Sequence, residues 1–344
     1  MSTDPASTRM YSESAQAPAV VRAQLAANAE RVARLAERLR QAPPRAVVTC
    51  ARGSSDHAAT FARYLIETHL GVLTSSAAPS VSSVYELTPD LEGAVMIAIS
   101  QSGASPDLLA TVSRARTNGA RIVAMVNAES SPLAQLADDL IPLGAGAELS
   151  VAATKSYIAS LAAIVHLVAS WAGDDALAAA LANAPDALAR AFELDWSAAI
   201  ARLTDANSLY VIGRGLGLGI AQEAALKFKE TCGLHAEALS AAELRHGPMA
   251  LVRAHFPLLI FTQDDESRAG VLQLAAELTA QGAAVLIAGA KVAQATVLPT
   301  EPAHPVIEPL LFALSFYRLV NALSLARGRN PDRPPNLSKV TETL

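Results

Sequence analysis

The sequence predicts an α/β protein built of two tandem units, each a parallel sheet covered by helices on both faces. Three observations carry that expectation. Short, near-continuous apolar runs alternate with helical stretches, as strands buried on both faces require. The alternation gives way to a helical connector after Val126 and resumes near Leu209. The two openings also match: Thr49-Cys-Ala-Arg52-Gly53 leads through a helix to Glu67-Thr68. In the same way Val211-Ile-Gly-Arg214-Gly215 leads to Glu230-Thr231, with one extra residue, which reads as an internal duplication.

Taken in order, Val20 to Gln41 carries helical periodicity and stops at Pro43-Pro44, where a helix cannot continue. Ala46–Cys50 reads as a strand, followed by a Gly/Ser turn and an Ala-rich helix from about His57 to Thr68. Ala94–Ile99 is the next strand, Pro106–Thr117 a helix and Ala120–Val126 a strand. A helical connector runs from about Thr154 to Arg202. Leu209–Ile212, Pro257–Phe261 and Ala284–Ile287 are the strands of the second unit, and Ile307 to Arg327 is a long helix. The expected boundaries are an N-terminal helical segment at 1–44, a first unit at 45–172, a connector at 173–206, a second unit at 207–330 and a tail at 331–344.

Composition narrows the function. With 344 residues, 51% hydrophobic and 17% charged, the chain can bury a large core. A net charge of −5 without any Lys/Arg run gives no basic field for nucleic acid. Two cysteines, Cys50 and Cys232, exclude a disulfide framework and a Cys-rich zinc site, and fit a reducing cytoplasm. The first residues lack a charged start and apolar core of the signal-peptide kind. The most lipid-like stretch, Tyr157 to Ala172, is interrupted by Ser160, His166 and Ser170, and a spanning helix needs roughly 20 apolar residues. The expectation is a soluble cytoplasmic protein.

Two stretches carry chemistry. Ser100-Gln101-Ser102-Gly103-Ala104-Ser105-Pro106 follows the second strand of the first unit and opens onto a helix, with Ser105 at the N-cap and Pro106 at N1. Backbone N–H groups and the positive helix end suit a phosphate, and hydroxyls add neutral donors. Gly53-Ser-Ser55 occupies the equivalent turn after the first strand, and turns at the carboxyl ends of adjacent parallel strands face one crevice. The matching point of the second unit, Thr262-Gln263-Asp264-Asp265-Glu266, would repel an anion. Arg52 has a counterpart in Arg214, in the half without a cradle, and is therefore assigned a structural role.

The second stretch is Glu223-Ala-Ala-Leu-Lys227-Phe-Lys-Glu230, followed by Ala-Glu-Leu-Arg-His246-Gly-Pro. In a helix, Glu223, Lys227 and Glu230 share one face. Carboxylates beside an ammonium, with an imidazole nearby, are equipped to move protons on and off carbon and oxygen. By itself the pattern also fits a solvated helix face. No Walker loop occurs, and Gly213-Arg-Gly-Leu-Gly-Leu-Gly breaks the dinucleotide spacing. His235-x-Glu237 with His246 lacks a fourth metal ligand.

These residues resemble the SIS (sugar isomerase) family, in particular the isomerase half of glucosamine-6-phosphate synthase and its deaminase-type relatives. The likeness runs from about Tyr11 to the end. It rests on Gly53-Ser-Ser55, Ser100-Gln-Ser-Gly103, Glu148-Leu-Ser-Val-Ala-Ala-Thr-Lys155, Glu223 to Glu230, His235-Ala-Glu237, Glu243-Leu-Arg-His246-Gly-Pro248 and Pro335-Asn-Leu-Ser-Lys339. The resemblance implies two SIS-type three-layer α/β/α units in tandem. It implies that Ser55, Ser100, Gln101, Ser102 and Ser105 bind the sugar phosphate and that Val151 touches the sugar by its main chain. It makes Glu230 the base that shuttles a proton between C1 and C2, flanked by Glu223 and Lys227. His246 would open the sugar ring in the neighbouring subunit of a homodimer, and Lys339 would form an imine with the open-chain ketose. A tail folding over the crevice would desolvate that amine. Three positions depart from the synthase pattern: Ala153 stands for a serine, Pro335 for a basic residue and Arg245 for a frequent lysine.

Fewer than fifty residues precede the first strand and residue 2 is Ser. The sequence therefore predicts no glutaminase domain of the synthase kind. The implied activity is an amino-sugar-phosphate deaminase and isomerase, converting glucosamine 6-phosphate and water into fructose 6-phosphate and ammonia without a metal or redox cofactor. The alternatives are an aminotransferase fed by a separate glutaminase, a fructosamine-6-phosphate deglycase, and a non-catalytic phosphosugar sensor. The expected partner is a phosphorylated amino sugar or ketose, with no nucleic acid and no membrane.

Overall fold

Helices α1 (Arg9–Ser14) and α2 (Ala17–Gln41) open the chain, and the computed structural model describes residues 4–87 and 89–339. A first series then runs β1 (Ala46–Cys50), α3 (Ser54–Leu70), β2 (Thr74–Ser76), α4 (Pro79–Ser83), β3 (Ala94–Ser100) and α5 (Pro106–Thr117). It closes with β4 (Arg121–Val126), α6 (Pro132–Leu136) and β5 (Asp139–Pro142). Three helices follow: α7 (Lys155–Ala172), α8 (Asp175–Glu193) and α9 (Ser197–Leu203). The second series is β6 (Ser208–Gly213), α10 (Gly217–Cys232), β7 (His235–Ser240), β8 (Pro257–Phe261), α11 (Arg268–Ala280), β9 (Ala284–Ala288), β10 (Thr296–Leu298) and α12 (Glu308–Ala326). Two 3-10 turns, Glu243–Arg245 and Pro248–Leu251, lie between β7 and β8.

The strands form two five-stranded sheets, ordered β2-β1-β3-β4-β5 and β10-β9-β8-β6-β7. Every pairing is parallel. Numbered from the first strand of each, both sheets read 2-1-3-4-5, so the duplication seen in the loops extends to topology. The tandem three-layer α/β/α architecture is thus present. All seven residues of β3 are buried, and Val211 and Ile212 of β6 are fully so, as a sheet covered on both faces demands. The strands missing from the sequence reading, β2, β5, β7 and β10, are the four sheet edges.

The chain divides into two compact bodies that do not follow the chain order. The body around the first sheet comprises Ala19–Glu148, Lys155–Ala182 and Ser338–Leu344. The body around the second comprises Met1–Pro18, Leu149–Thr154 and Asn183–Leu337. Specific bonds explain the interleaving. In the first body α7 is held by Gln24, whose Nε2 donates to the Ala159 carbonyl, while Asn28 donates to that of Pro142. In the second, Thr8 Oγ1 donates to Asn321 Oδ1 on α12 at 2.7 Å. There the Glu13 carboxylate accepts from the backbone N–H groups of Leu149 and Ser150, and Asp332 accepts from those of Arg9 and Met10. Helices α7 and α12 are long and apolar enough to cross a membrane, but 83% and 78% of their apolar windows are buried within the fold.

Candidate active site

In the first body, β1 and β3 are neighbours, with Cys50 opposite Ala98. The chain order reverses between these strands, so the turns beyond their carboxyl ends meet at the topological switch point. Gly53 takes φ +56° as the N-cap of α3, which therefore begins at Ser54, three residues before the expected His57, and Ser55 lies in its first turn. Ser105 is the extended N-cap of α5 with Pro106 at N1. Between them Ser100 Oγ accepts from the Gly103 N–H at 2.9 Å and Ser102 Oγ from that of Ala104. Gly103 sits at φ +62°, and a Cβ there would lie 2.7 Å from Ser131 Cβ and 2.8 Å from Val126 Cγ2. Only glycine fits this bend. Ser100 is buried, while Ser55, Gln101, Ser102 and Ser105 are half-buried at the rim. The arrangement offers hydroxyls and two helix N-termini to an anion.

Arg52 is held away from such a role. Its Nε and Nη2 both donate to Asp107 Oδ2, at 2.8 and 2.6 Å, and Asp107 is buried. In the second sheet the same switch point is stopped up by the chain itself. Gln263 Nε2 donates to the Arg214 carbonyl at 2.9 Å, to Asp265 Oδ2 at 2.6 Å and to Ser267 Oγ at 3.3 Å. Gln263 is fully buried.

The second body holds the charged helix. Lys227 Nζ stands 3.2 Å from Glu223 Oε1 and 2.7 Å from Glu230 Oε2. The side chains of Glu223 and Lys227 are 1% exposed and that of Glu230 19%, so the face is an enclosed ion triplet and not a solvated surface. Burial works against the ammonium, but Glu223 and Glu230 outweigh it and raise the Lys227 pKa above the ordinary lysine value. Glu223 Oε1 also accepts from Tyr317 Oη of α12 at 2.9 Å. Val151 is half-buried, and its N–H donates a long bond, 3.5 Å, to the Asp332 carbonyl. His246 caps the Glu243–Arg245 turn and is exposed; among the described residues its side chain makes no hydrogen bond. It is not joined to the triplet.

Lys339 belongs to the first body, where its Nζ lies 3.2 Å from Glu148 Oε2. That carboxylate is fully buried and accepts from Ser156 N–H and Oγ as well. Glu148, Glu13 and Tyr317 received no role from the sequence. Glu148 opens the motif that ends at Lys155, which was the signal available for it, whereas Glu13, four residues after Arg9, looked like an ordinary helix-surface acid. Tyr317 lay within an apolar helix and gave none. Among the described residues no group of three or more His, Cys, Asp or Glu side chains could hold a metal ion.

A family model described as "SIS domain" matches residues 39–170 and 202–294. The chain belongs to the SIS domain family. This SIS chain is 35% identical over 308 residues to an isomerizing glutamine–fructose-6-phosphate aminotransferase of Aeropyrum pernix, covering 83% of this chain and 49% of that protein. It thus spans about half the length of the curated relatives it matches. Among solved structures, a candidate phosphosugar isomerase from Silicibacter pomeroyi DSS-3 superposes with a TM-score of 0.91 at 43% identity, over 94% of this chain and all of the other. The C-terminal domain of glucosamine-fructose-6-phosphate aminotransferase from Francisella tularensis gives 0.86 at 25% identity, over 95% and 98% of the two chains.

Proposed function

We propose that the chain is an amino-sugar-phosphate isomerase coupled to release of ammonia, converting glucosamine 6-phosphate and water into fructose 6-phosphate and ammonia. The observation that carries this reading is the enclosed Glu223–Lys227–Glu230 triplet, in which Glu230 is the only member with appreciable exposure. A carboxylate fixed by a permanent ammonium and open on one side is a base that can take a proton from carbon and give it back. The phosphoryl group is assigned to Ser55, Ser100, Gln101, Ser102 and Ser105, whose hydroxyl and amide donors need no cation. Val151 contacts the sugar through its main chain.

The steps balance. His246, exposed and thus available to a neighbouring copy of the chain in a homodimer, opens the sugar ring. Glu230 takes the C2 proton and returns it at C1 while an amine proton passes to O1, so that the amino aldose becomes a fructose imine. Water adds to C2 and ammonia leaves. Lys339 provides the alternative amine that exchanges onto C2 before water releases the ketose, and its contact with Glu148 in the first body keeps it partly out of solvent.

The aminotransferase to which the chain is 35% identical favours a second reading, in which ammonia from a separate source is added to fructose 6-phosphate. Both are tested by one experiment. Purified protein is given glucosamine 6-phosphate, or fructose 6-phosphate with ammonium, while ammonium, ketose phosphate and amino sugar are followed. Phosphosugar binding that Ser102→Ala abolishes, without turnover in either direction, would leave a sensor and overturn the enzymatic reading.

A further inference from the structure

We propose that Tyr317 is a positioning residue for Glu230, acting through Glu223 and Lys227 as the inner anchor of one continuous buried chain of hydrogen bonds. The proposal deepens the function given above and rests on it. The contacts run in series: Tyr317 Oη donates to Glu223 Oε1 at 2.9 Å, Lys227 Nζ meets that same oxygen at 3.2 Å, and Lys227 then reaches Glu230 Oε2 at 2.7 Å. Tyr317 and Lys227 are fully buried and Glu223 is 1% exposed. With Glu230 at the outer end, whatever sets the charge and place of Glu223 sets how far Lys227 leans on the base.

The hydroxyl is not needed to dock α12 on α10. Ser324 Oγ donates to the Thr231 carbonyl at 2.7 Å and Cys232 Sγ meets the Val320 carbonyl at 3.6 Å. The ring lies beside Phe316 in a helix that also carries Phe312, where phenylalanine would fill the space without a polar atom to desolvate. What the hydroxyl adds is a donor aimed at a carboxylate that has almost no water. Few other charges face it. Beyond the triplet, α10 carries Lys229. Of the elements packed on α10, β6 and β8 bring no charged side chain (Tyr210 of β6 being titratable), β7 brings His235 and Glu237, and α12 brings Glu308 and Arg318. Arg318 turns to the Phe192 carbonyl, and Glu308 accepts from the Asp264 N–H. Packed on α12, α1 brings Arg9 and Glu13 and α9 brings Arg202. Among the described residues, Glu223 and Glu230 are the charges that raise the Lys227 pKa.

The test compares Y317F with S324A, which also loses a buried α12–α10 bond but does not touch the triplet. Ammonia release from glucosamine 6-phosphate is measured across pH, as is urea stability without substrate. Losing a hydrogen bond to a charged group should make Glu223 easier to protonate by about one to two pH units. We expect Y317F to move the acid limb of kcat upward by about that amount and to lower kcat about 10- to 100-fold with KM within about twofold. S324A should leave the limb in place. Placing 3-fluorotyrosine at position 317, a stronger donor, should move the limb downward. Independently of turnover, the stability deficit of Y317F should be largest where Glu223 is ionised and narrow as acid protonates it, because the variant takes up that proton at a higher pH than the wild type. The deficit of S324A should stay flat. An unmoved limb in Y317F, or a deficit as flat as that of S324A, overturns the proposal. A wild-type protein without turnover defeats the enzymatic reading alone, and the pH dependence of the two deficits then decides on Tyr317.

Discussion

Replacing Lys227 with methionine keeps the length of the buried stem and removes the ammonium with its contacts to Glu223 and Glu230. At the observed 2.7 and 3.2 Å, and with an effective dielectric of about 20, the gross attractions are about 6 and about 5 kcal/mol. Most of that offsets the desolvation of three charged groups. Removing the cation alone leaves the 1% exposed Glu223 carboxylate without a counter-charge, which costs about 3–5 kcal/mol. Against the roughly 5–15 kcal/mol of a typical domain, the effect is large and readable as a fall in the urea midpoint at pH 8. The pH dependence carries a sign. Because the Lys227 pKa is raised, its contribution to the wild type is complete below the ordinary lysine value of about 10.4 and is lost only as pH climbs through the raised one. The wild type therefore loses nothing from this group between pH 5 and 9. In K227M the two carboxylates repel each other and protonation relieves them, so the deficit should shrink from pH 8 to pH 5. A loss below about 1 kcal/mol at pH 8, or a deficit independent of pH, would refute the enclosed ion triplet.

Three further outcomes are expected. Gly103→Ala, whose methyl would collide with Ser131 and Val126, should weaken binding of a sugar phosphate measured calorimetrically and cost about 1–3 kcal/mol of stability; unchanged affinity would remove the cradle from phosphate binding. Burial pushes the Cys50 thiol up to about 12 and the Cys232 thiol up to about 11, so a disulfide reagent at pH 8 should label neither until urea is added. Prompt labelling of the folded protein would contradict their burial. Glu148→Gln should release the lysine at 3.2 Å, lower kcat by about 10- to 100-fold for the loss of a charge-assisted bond, and speed tryptic cleavage after Lys339; wild-type kcat in this variant would detach Glu148 from the tail lysine's work.

What could be read in the chain divides by physical cause. Strands β3, β6, β8 and β9 were visible because burial on both faces leaves a near-continuous apolar run, as in Ala94 to Ile99 of β3. The edges were not. Thr-Ser-Ser of β2 and His-Ala-Glu-Ala-Leu-Ser of β7 are short or half-polar, as exposed edges tend to be, and their place is set by neighbouring backbone. Spacing put Glu223, Lys227 and Glu230 on one face, but could not tell a wet face from a sealed one. That depends on α12, some ninety residues away in sequence, which brings Tyr317 against Glu223. Arg52 was read as structural from its twin Arg214, and its bond to buried Asp107 supports that reading. The interleaving of the bodies rests on single long-range contacts such as Glu13 with Leu149 and Ser150, which no local pattern announces.

The Gln263 side chain that fills the crevice of the second sheet has a consequence for how twin units can diverge. A copy whose anion seat is occupied from within is released from the need to keep donors and open space there. Its first helix can then gather ionic groups that would be intolerable beside a bound phosphate. Trimming Gln263 would open that crevice but leave Asp264, Asp265 and Glu266 around it, so refitting the seat for an anion takes replacement of the carboxylates as well as the amide.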